Sequence, residues 1–128
     1  MLTFRNVLAL GVFLFGTTFL WLTPSFVGKS ATGAAWAVAQ ALAMAAILGF
    51  TVAAWGIFKA AGWWELVLVV SALVGMASII PYWIGIQSVS GAVDSAAIEN
   101  VVGHVTGAAV VIAVLLIHPA EHWVVGRL

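Results

Sequence analysis

Long apolar stretches separated by short polar ones dominate the pattern of this sequence. Four stretches, at about residues 5–23, 32–60, 63–88 and 96–118, are mostly apolar and contain few charges. Each is long enough for a helix that crosses a hydrocarbon core, which takes about 20 residues, and they are too long and too uniform for strands. The pattern predicts an all-α integral membrane protein. We expect a four-helix up-and-down bundle in a single domain over 1–128, with a short interfacial turn at its C-terminal end.

The composition supports lipid as the solvent of this chain. Its 128 residues are 65% hydrophobic and 6% charged, which is more apolar surface than a soluble domain of this size can bury. Four basic and four acidic residues, spread singly, form no patch for a phosphate backbone, which excludes nucleic acid as a partner. The absence of cysteine excludes disulfides and thiol chemistry. We expect the lipid bilayer, and other membrane subunits or further copies of the chain, as partners.

Basic residues and tryptophans indicate how the chain is oriented. Arg5, Lys59 and Arg127 fall at the same end of the predicted helices. Because basic residues concentrate on the cytoplasmic side, we expect both termini in the cytoplasm. All seven tryptophans fall near predicted helix ends, where indole rings settle at headgroup level.

Small residues repeat along the second and fourth predicted helices. Ala39 and Ala43 belong to a stripe of small residues on the second helix, and Gly103 and Gly107 form a G-x-x-x-G step on the fourth. Small side chains allow helix backbones to approach closely in lipid. The stripes predict tight packing within the chain, with an interface between copies of the chain as the alternative.

Polar residues recur at one depth of the predicted bundle. Gln40, Ser78 and His104 lie within about 10 Å of the outer surface, Thr18 belongs to the same layer, and Asn100 is one turn above His104. Because unpaired polar groups are costly in hydrocarbon, we expect them to turn inward and bond one another. If these residues form hydrogen bonds between helices, His104→Leu should lower the free energy of unfolding by about 1 to 2 kcal/mol. The alternatives are a ligand-binding pocket at His104, or a small transporter with its pocket at Gln40 and His104.

His104 and His118 are spaced like the histidines of dihaem cytochrome b helices. A separation of 14 residues places them about 40° apart around a continuous helix and about 21 Å apart along it. The resemblance implies haem b bound between two copies, because the first three helices contain no histidine. Apart from that alternative we expect no cofactor.

The sequence HPAEH, residues 118–122, matches the H-x-x-E-H pattern of inverzincin metallopeptidases. The resemblance implies a metal site at His118, Glu121 and His122. Pro119 lies inside the motif and no third ligand follows it, which favours a solvated helix cap instead.

The stretch AWGIFKAAGWWELVLVVSALVG joins the second and third helices, and Gly62 is expected to end the second. This stretch is similar to small four-helix prokaryotic membrane proteins of the DoxX-like type. The resemblance implies the same fold in a prokaryotic cell membrane and transfers no functional residue. Since no loop is long enough for a soluble domain, we expect an accessory or structural subunit of a membrane complex, or a homo-oligomer, and no enzyme activity.

Overall fold

Four long apolar helices and one short helix make up most of the residues that the structure describes. The structure is a computed structural model that describes residues 2–22, 33–90 and 95–128. The helices are α1 (Phe4–Thr17), which continues as a 3₁₀ segment (Thr18–Leu22), α2 (Ala34–Phe58), α3 (Trp64–Ser90), α4 (Ser95–Leu116) and α5 (His118–Val125). All except α5 are long and apolar enough to cross a membrane, α1 together with its 3₁₀ segment. The prediction of an all-α bundle with four spanning helices is confirmed.

The tight turn between α2 and α3 is closed by backbone hydrogen bonds. The N–H of Ala61 donates to the carbonyl of Gly56 at 2.9 Å, and the N–H of Ala60 donates to that of Ile57 at 3.1 Å. This is the Schellman arrangement, which needs a left-handed residue just after the helix. Ala60 takes that position with φ 54°, so the expectation that Gly62 ends the helix is wrong by two residues.

Neighbouring helices run antiparallel around the bundle. α2 packs against α1 and α3, and α3 also packs against α4. Trp36, near the start of α2, lies beside Tyr82 in the second half of α3, with ring centroids 6.0 Å apart. We call the end of the bundle that contains Leu22 and the starts of α2 and α4 the distal end, and the opposite end the terminal end.

Both termini lie together at the terminal end. The rings of Phe4 and Trp123 meet edge to face with centroids 6.0 Å apart, and the Arg5 guanidinium donates to the backbone carbonyl of Leu128. α5 therefore packs against the start of α1. The cytoplasmic location of this end stays a prediction.

The interface between α2 and α3, which we call the closed seam, is packed around glycines. A Cβ atom on Gly49 would lie under 3.0 Å from the Ser71 side chain, and one on Gly85 would also lie under 3.0 Å from the Trp36 ring. Ala39 and Ala43 of α2 are also buried, at 1% and 0% exposure. The stripe of small residues is thus covered within a single chain.

Two of the tryptophans near helix ends are covered by neighbouring protein. Trp36 is 3% exposed and Trp64 is 5% exposed, whereas Trp55 is 57% exposed and Trp123 is 54% exposed. Glycines lie against both places: a Cβ on Gly85 would collide with the Trp36 ring, and one on Gly56 would collide with the Trp63 ring and with the Cβ of Trp64. These two rings therefore fill space between helices at opposite ends of the bundle.

The interface between α1 and α4, which we call the open seam, is different in kind. The two backbones approach less closely than those of the other neighbouring pairs, and aromatic rings fill the space between them. Phe15 lies against Gly107, where a Cβ would fall under 3.0 Å from the ring, while a Cβ on Gly103 would meet no atom within 4 Å. Of the G-x-x-x-G step, only Gly107 serves close packing here.

Candidate functional site

His104 is a buried histidine with one free ring nitrogen. It lies on α4 and is 4% exposed. Its Nδ1 is 2.6 Å from the backbone carbonyl oxygen of Asn100, one turn earlier. Because a carbonyl oxygen only accepts, Nδ1 carries the proton and donates it, so Nε2 of the neutral ring is an acceptor. In the part of the chain that the structure describes, this buried Nε2 has no hydrogen-bond partner.

Phe19 fixes the orientation of the His104 ring. The two rings meet edge to face with centroids 4.7 Å apart. Phe19 is itself fully buried, stacked at 5.6 Å on Phe50 of α2 and so close to α3 that a Cβ on Gly75 would collide with it. The ring therefore contacts three other helices, and it holds the imidazole in place from the bundle side.

The 3₁₀ segment brings Phe19 to this position. The chain tightens after Thr17, and the Thr18 hydroxyl donates to the carbonyl of Phe15 at 2.6 Å. Side-chain bonds to the preceding turn are typical of threonine and compensate the backbone carbonyls where α-helical bonding ends.

A cavity of about 240 Å³ opens beside His104 at the distal end of the open seam. It is formed by the end of α1, the 3₁₀ segment and the start of α4, and its lining residues are Phe15, Thr18, Trp21, Glu99, Asn100, Gly103 and His104. Glu99 is exposed at the opening and forms no ion pair with any residue that the structure describes. The cavity thus combines a carboxylate, a buried acceptor nitrogen and two aromatic rings.

The predicted polar layer is divided by the fold. Thr18, Asn100 and His104 line this one cavity, whereas Gln40 and Ser78 do not. Ser78 is fully buried, and its hydroxyl donates to the Gly75 carbonyl of its own helix at 2.6 Å. Gln40 is half-buried on α2.

The interhelical bonds expected for this layer are not among the described hydrogen bonds. Thr18, Ser78 and His104 each donate to a carbonyl three or four residues earlier in the chain. The preceding turn is always within reach of such side chains, so it competes well with a neighbouring helix. Of the buried side-chain atoms of this layer, Nε2 of His104 has no partner among the residues that the structure describes.

Sequence reasoning missed Phe15, Trp21 and Glu99 as members of the site. Glu99 had a usable signal, since it is an acidic residue within a predicted membrane helix. The two aromatic residues had none, because their place beside His104 depends on how α1 lies against α4.

A second cavity, of about 310 Å³, continues along the same seam toward the terminal end. Its lining is apolar throughout: Phe4, Val7, Leu8, Gly11, Val12, Phe15, Phe50 and Val111. Phe15 forms a wall of both cavities. The open seam is therefore polar at its distal end and apolar beyond that ring.

His118 does not continue the helix that carries His104. α4 ends at Leu116, and Ile117 is extended with φ −84° and ψ 106°. The angular relation expected for two histidines on one continuous helix therefore does not hold. Haem binding stays a prediction without that geometric support.

His118, Glu121 and His122 meet on one face of α5. The ring nitrogens and the carboxylate oxygen that they offer lie within 4.8 Å of one another. Pro119 falls in the first turn, where no backbone N–H is needed, so it starts the helix instead of breaking it. The cluster is separate from the cavity at His104.

Comparison with protein-family models, with curated proteins and with solved structures finds no match for the chain. The resemblance to the DoxX-like type stays a prediction.

Proposed function

We propose that the protein is a membrane-embedded binding protein for a small amphiphile that carries a protonated amine. The amine group would occupy the cavity beside His104, and its apolar part would lie in the open seam. The buried, unpaired Nε2 of His104 is the observation that carries this proposal.

An unpaired buried nitrogen requires an explanation. Leaving a buried acceptor without a partner costs about 1 to 3 kcal/mol, and such groups are rare in folded proteins. Nearby hydroxyls of Thr18 and Ser78 are paired. Among the described residues, three buried side-chain nitrogens have no partner, namely Nε of Arg5, Nε1 of Trp36 and Nε2 of His104, and of these only His104 lines the cavity. A ligand that donates a hydrogen bond to Nε2 would remove the cost.

The other groups at the cavity favour a cation. The Glu99 carboxylate stands at the opening without an ion-pair partner among the described residues. Trp21 and Phe15 present aromatic rings to the same space, and ring faces attract ammonium groups. A protonated amine matches all three features, since it can donate to the His104 nitrogen, pair with the Glu99 carboxylate and lie against the aromatic rings.

The apolar cavity beyond Phe15 offers a place for a hydrocarbon substituent. It is lined by side chains of α1, with Phe50 and Val111 from the neighbouring helices. On the α1 side, the cavity is bordered by Leu8 and by the exposed Gly11. This part of α1 belongs to its lipid-facing surface, where Leu10 and Leu14 are also exposed. An amphiphile would reach the site from the bilayer.

A role as an accessory subunit or as a homo-oligomer has less support than this proposal. They relied on small-residue helix faces as contacts between chains, and Ala39 and Ala43 are buried within one chain. A partner would have to use another surface. A transporter with Gln40 in its pocket is less favoured, because Gln40 does not line the cavity.

Calorimetric titration of the purified protein in detergent with three matched probes tests the proposal. Hexylammonium has both N–H donors and charge, hexyltrimethylammonium has charge only, and 1-hexanol has a donor only. We expect hexylammonium to bind saturably with one site per chain. Each of the other two should bind about tenfold more weakly or worse, because a hydrogen bond to a charged group contributes about 1.5 to 3 kcal/mol.

Two variants identify the residues responsible. His104→Leu and Glu99→Gln should each weaken hexylammonium binding by about tenfold or more. His122→Leu, which changes a histidine outside the cavity, is the matched control and should bind as the parent does. Equal binding of hexylammonium by the parent and by His104→Leu would refute the proposal, as would equal affinity for the trimethyl probe.

A further inference from the structure

We propose that His118 and His122 chelate one first-row divalent transition-metal ion, of which Zn²⁺ is the representative, through their Nε2 atoms. In the structure these two atoms are 3.2 Å apart. Two nitrogens bound to a tetrahedral zinc at about 2.0 to 2.1 Å would be about 3.3 Å from each other. The side chains therefore already hold the spacing that the ion requires, and this inference is independent of the proposed amine site.

Glu121 orients one of the two ligands. Its Oε2 is 3.2 Å from Nδ1 of His118. A carboxylate accepts, so Nδ1 of the neutral ring carries the proton and Nε2 presents a lone pair. A carboxylate behind a ligating imidazole is the usual support of metal-bound histidines. We therefore assign Glu121 as a positioning residue and the two histidines as the ligands.

The two rings change their hydrogen bonding when the ion enters. Without an ion, the unprotonated Nε2 of His118 accepts a hydrogen bond from Nε2–H of His122. Coordination requires both Nε2 atoms to be free of protons. His122 meets this by adopting the other neutral tautomer, with the proton on Nδ1.

The surroundings of the cluster suit binding and not hydrolysis. The His118 side chain is 82% exposed, so an ion has free access and keeps water in its remaining positions. Imidazole ligands suit zinc, copper and nickel. Glu121, which would act as the base in a metallopeptidase, is already engaged with His118. α5 is held in place by the contact of Trp123 with Phe4.

Titration of the metal-free protein with Zn²⁺, followed by calorimetry and by ¹⁵N NMR of labelled histidines, tests this site. We expect one ion per chain, with ring-nitrogen resonances of His118 and His122 shifting and those of His104 unchanged. His118→Ala and His122→Ala should each weaken binding at least tenfold, whereas His104→Ala, the matched control, should bind as the parent does. Resonances of the parent protein report on the ligands even if a variant fails to fold.

Replacement of Glu121 distinguishes a positioning residue from a ligand. Glu121→Ala should weaken Zn²⁺ binding by about 10- to 100-fold and alter the tautomer of His118. Glu121→Gln should restore most of the affinity, because its amide oxygen still accepts from Nδ1. Equal losses in the two variants would overturn the role of Glu121. Unchanged affinity in His118→Ala or His122→Ala would overturn the metal site.

Discussion

The closed seam between α2 and α3 and the open seam between α1 and α4 show two ways to pack helices in lipid. In the closed seam, Gly49 and Gly85 remove side chains at the points of contact, so the partner residue lies directly against the backbone. In the open seam, Phe15 and Phe19 fill the space between helices that stand farther apart, and His104 lies against Phe19. Both seams bury their contacts, and in the described part of the chain the open one contains two cavities.

The two seams differ because helices in lipid must fit one another by shape, since the hydrophobic effect does not drive them together there. Association then depends on van der Waals contact and polar bonds. Glycine and alanine give contact along a whole helix, whereas bulky rings give contact only where each ring finds a complementary gap, as Phe15 does at Gly107. Gaps without a ring remain as cavities. The closed seam is thus suited to stability and the open seam to binding.

Removing the ring at the centre of the open seam should have the largest effect. Phe19→Ala should lower the free energy of unfolding by about 3 to 5 kcal/mol, because the ring contacts Phe15, Phe50 and His104. Phe13→Ala, which changes a ring that is 40% exposed, is the control and should have little effect. Unfolding in mixed micelles measures both. Equal losses would show that Phe19 does not hold the seam together.

Adding one methyl group at a glycine should have different effects on stability in the two seams. Gly49→Ala should destabilise the protein by about 1 to 3 kcal/mol, because its Cβ would collide with Ser71. Gly103→Ala has free space and should leave stability unchanged or raise it by up to about 1 kcal/mol through helix propensity. The same unfolding assay checks the pair. A larger loss at Gly103 than at Gly49 would invert the assignment of the seams.

The sequence alone indicated the small-residue stripe that is buried in α2, but not the arrangement of the open seam. Alanines repeating at helical spacing predicted a buried stripe, and Ala39 and Ala43 lie in the interior as expected. For the site, the depth of Thr18, Asn100 and His104 along their helices indicated a common level, and these three residues line one cavity. Rotation about each helix axis decides which residues share a cavity, and no local pattern encoded that Gln40 and Ser78 face elsewhere.

The turn between α2 and α3 contains one residue with a strained backbone conformation. Ala60 has φ 54°, a conformation that costs an L-residue about 1 to 2 kcal/mol and glycine almost nothing. Ala60→Gly should therefore stabilise the protein by about 1 kcal/mol. Gly62→Ala, two residues later, has open space and ordinary φ and should change stability little. A destabilising Ala60→Gly would show that another conformation closes this turn.

His104→Leu, unfolded with and without hexylammonium, tests most directly whether the open seam keeps an unpaired acceptor for a ligand. Without the probe, the variant should be as stable as the parent or up to about 1 kcal/mol more stable, because leucine removes the unpaired Nε2. With the probe, only the parent should gain stability, and the gain should grow with probe concentration. A loss of about 1 to 2 kcal/mol without the probe, as interhelical bonding by His104 predicts, together with equal responses to it, would contradict the account.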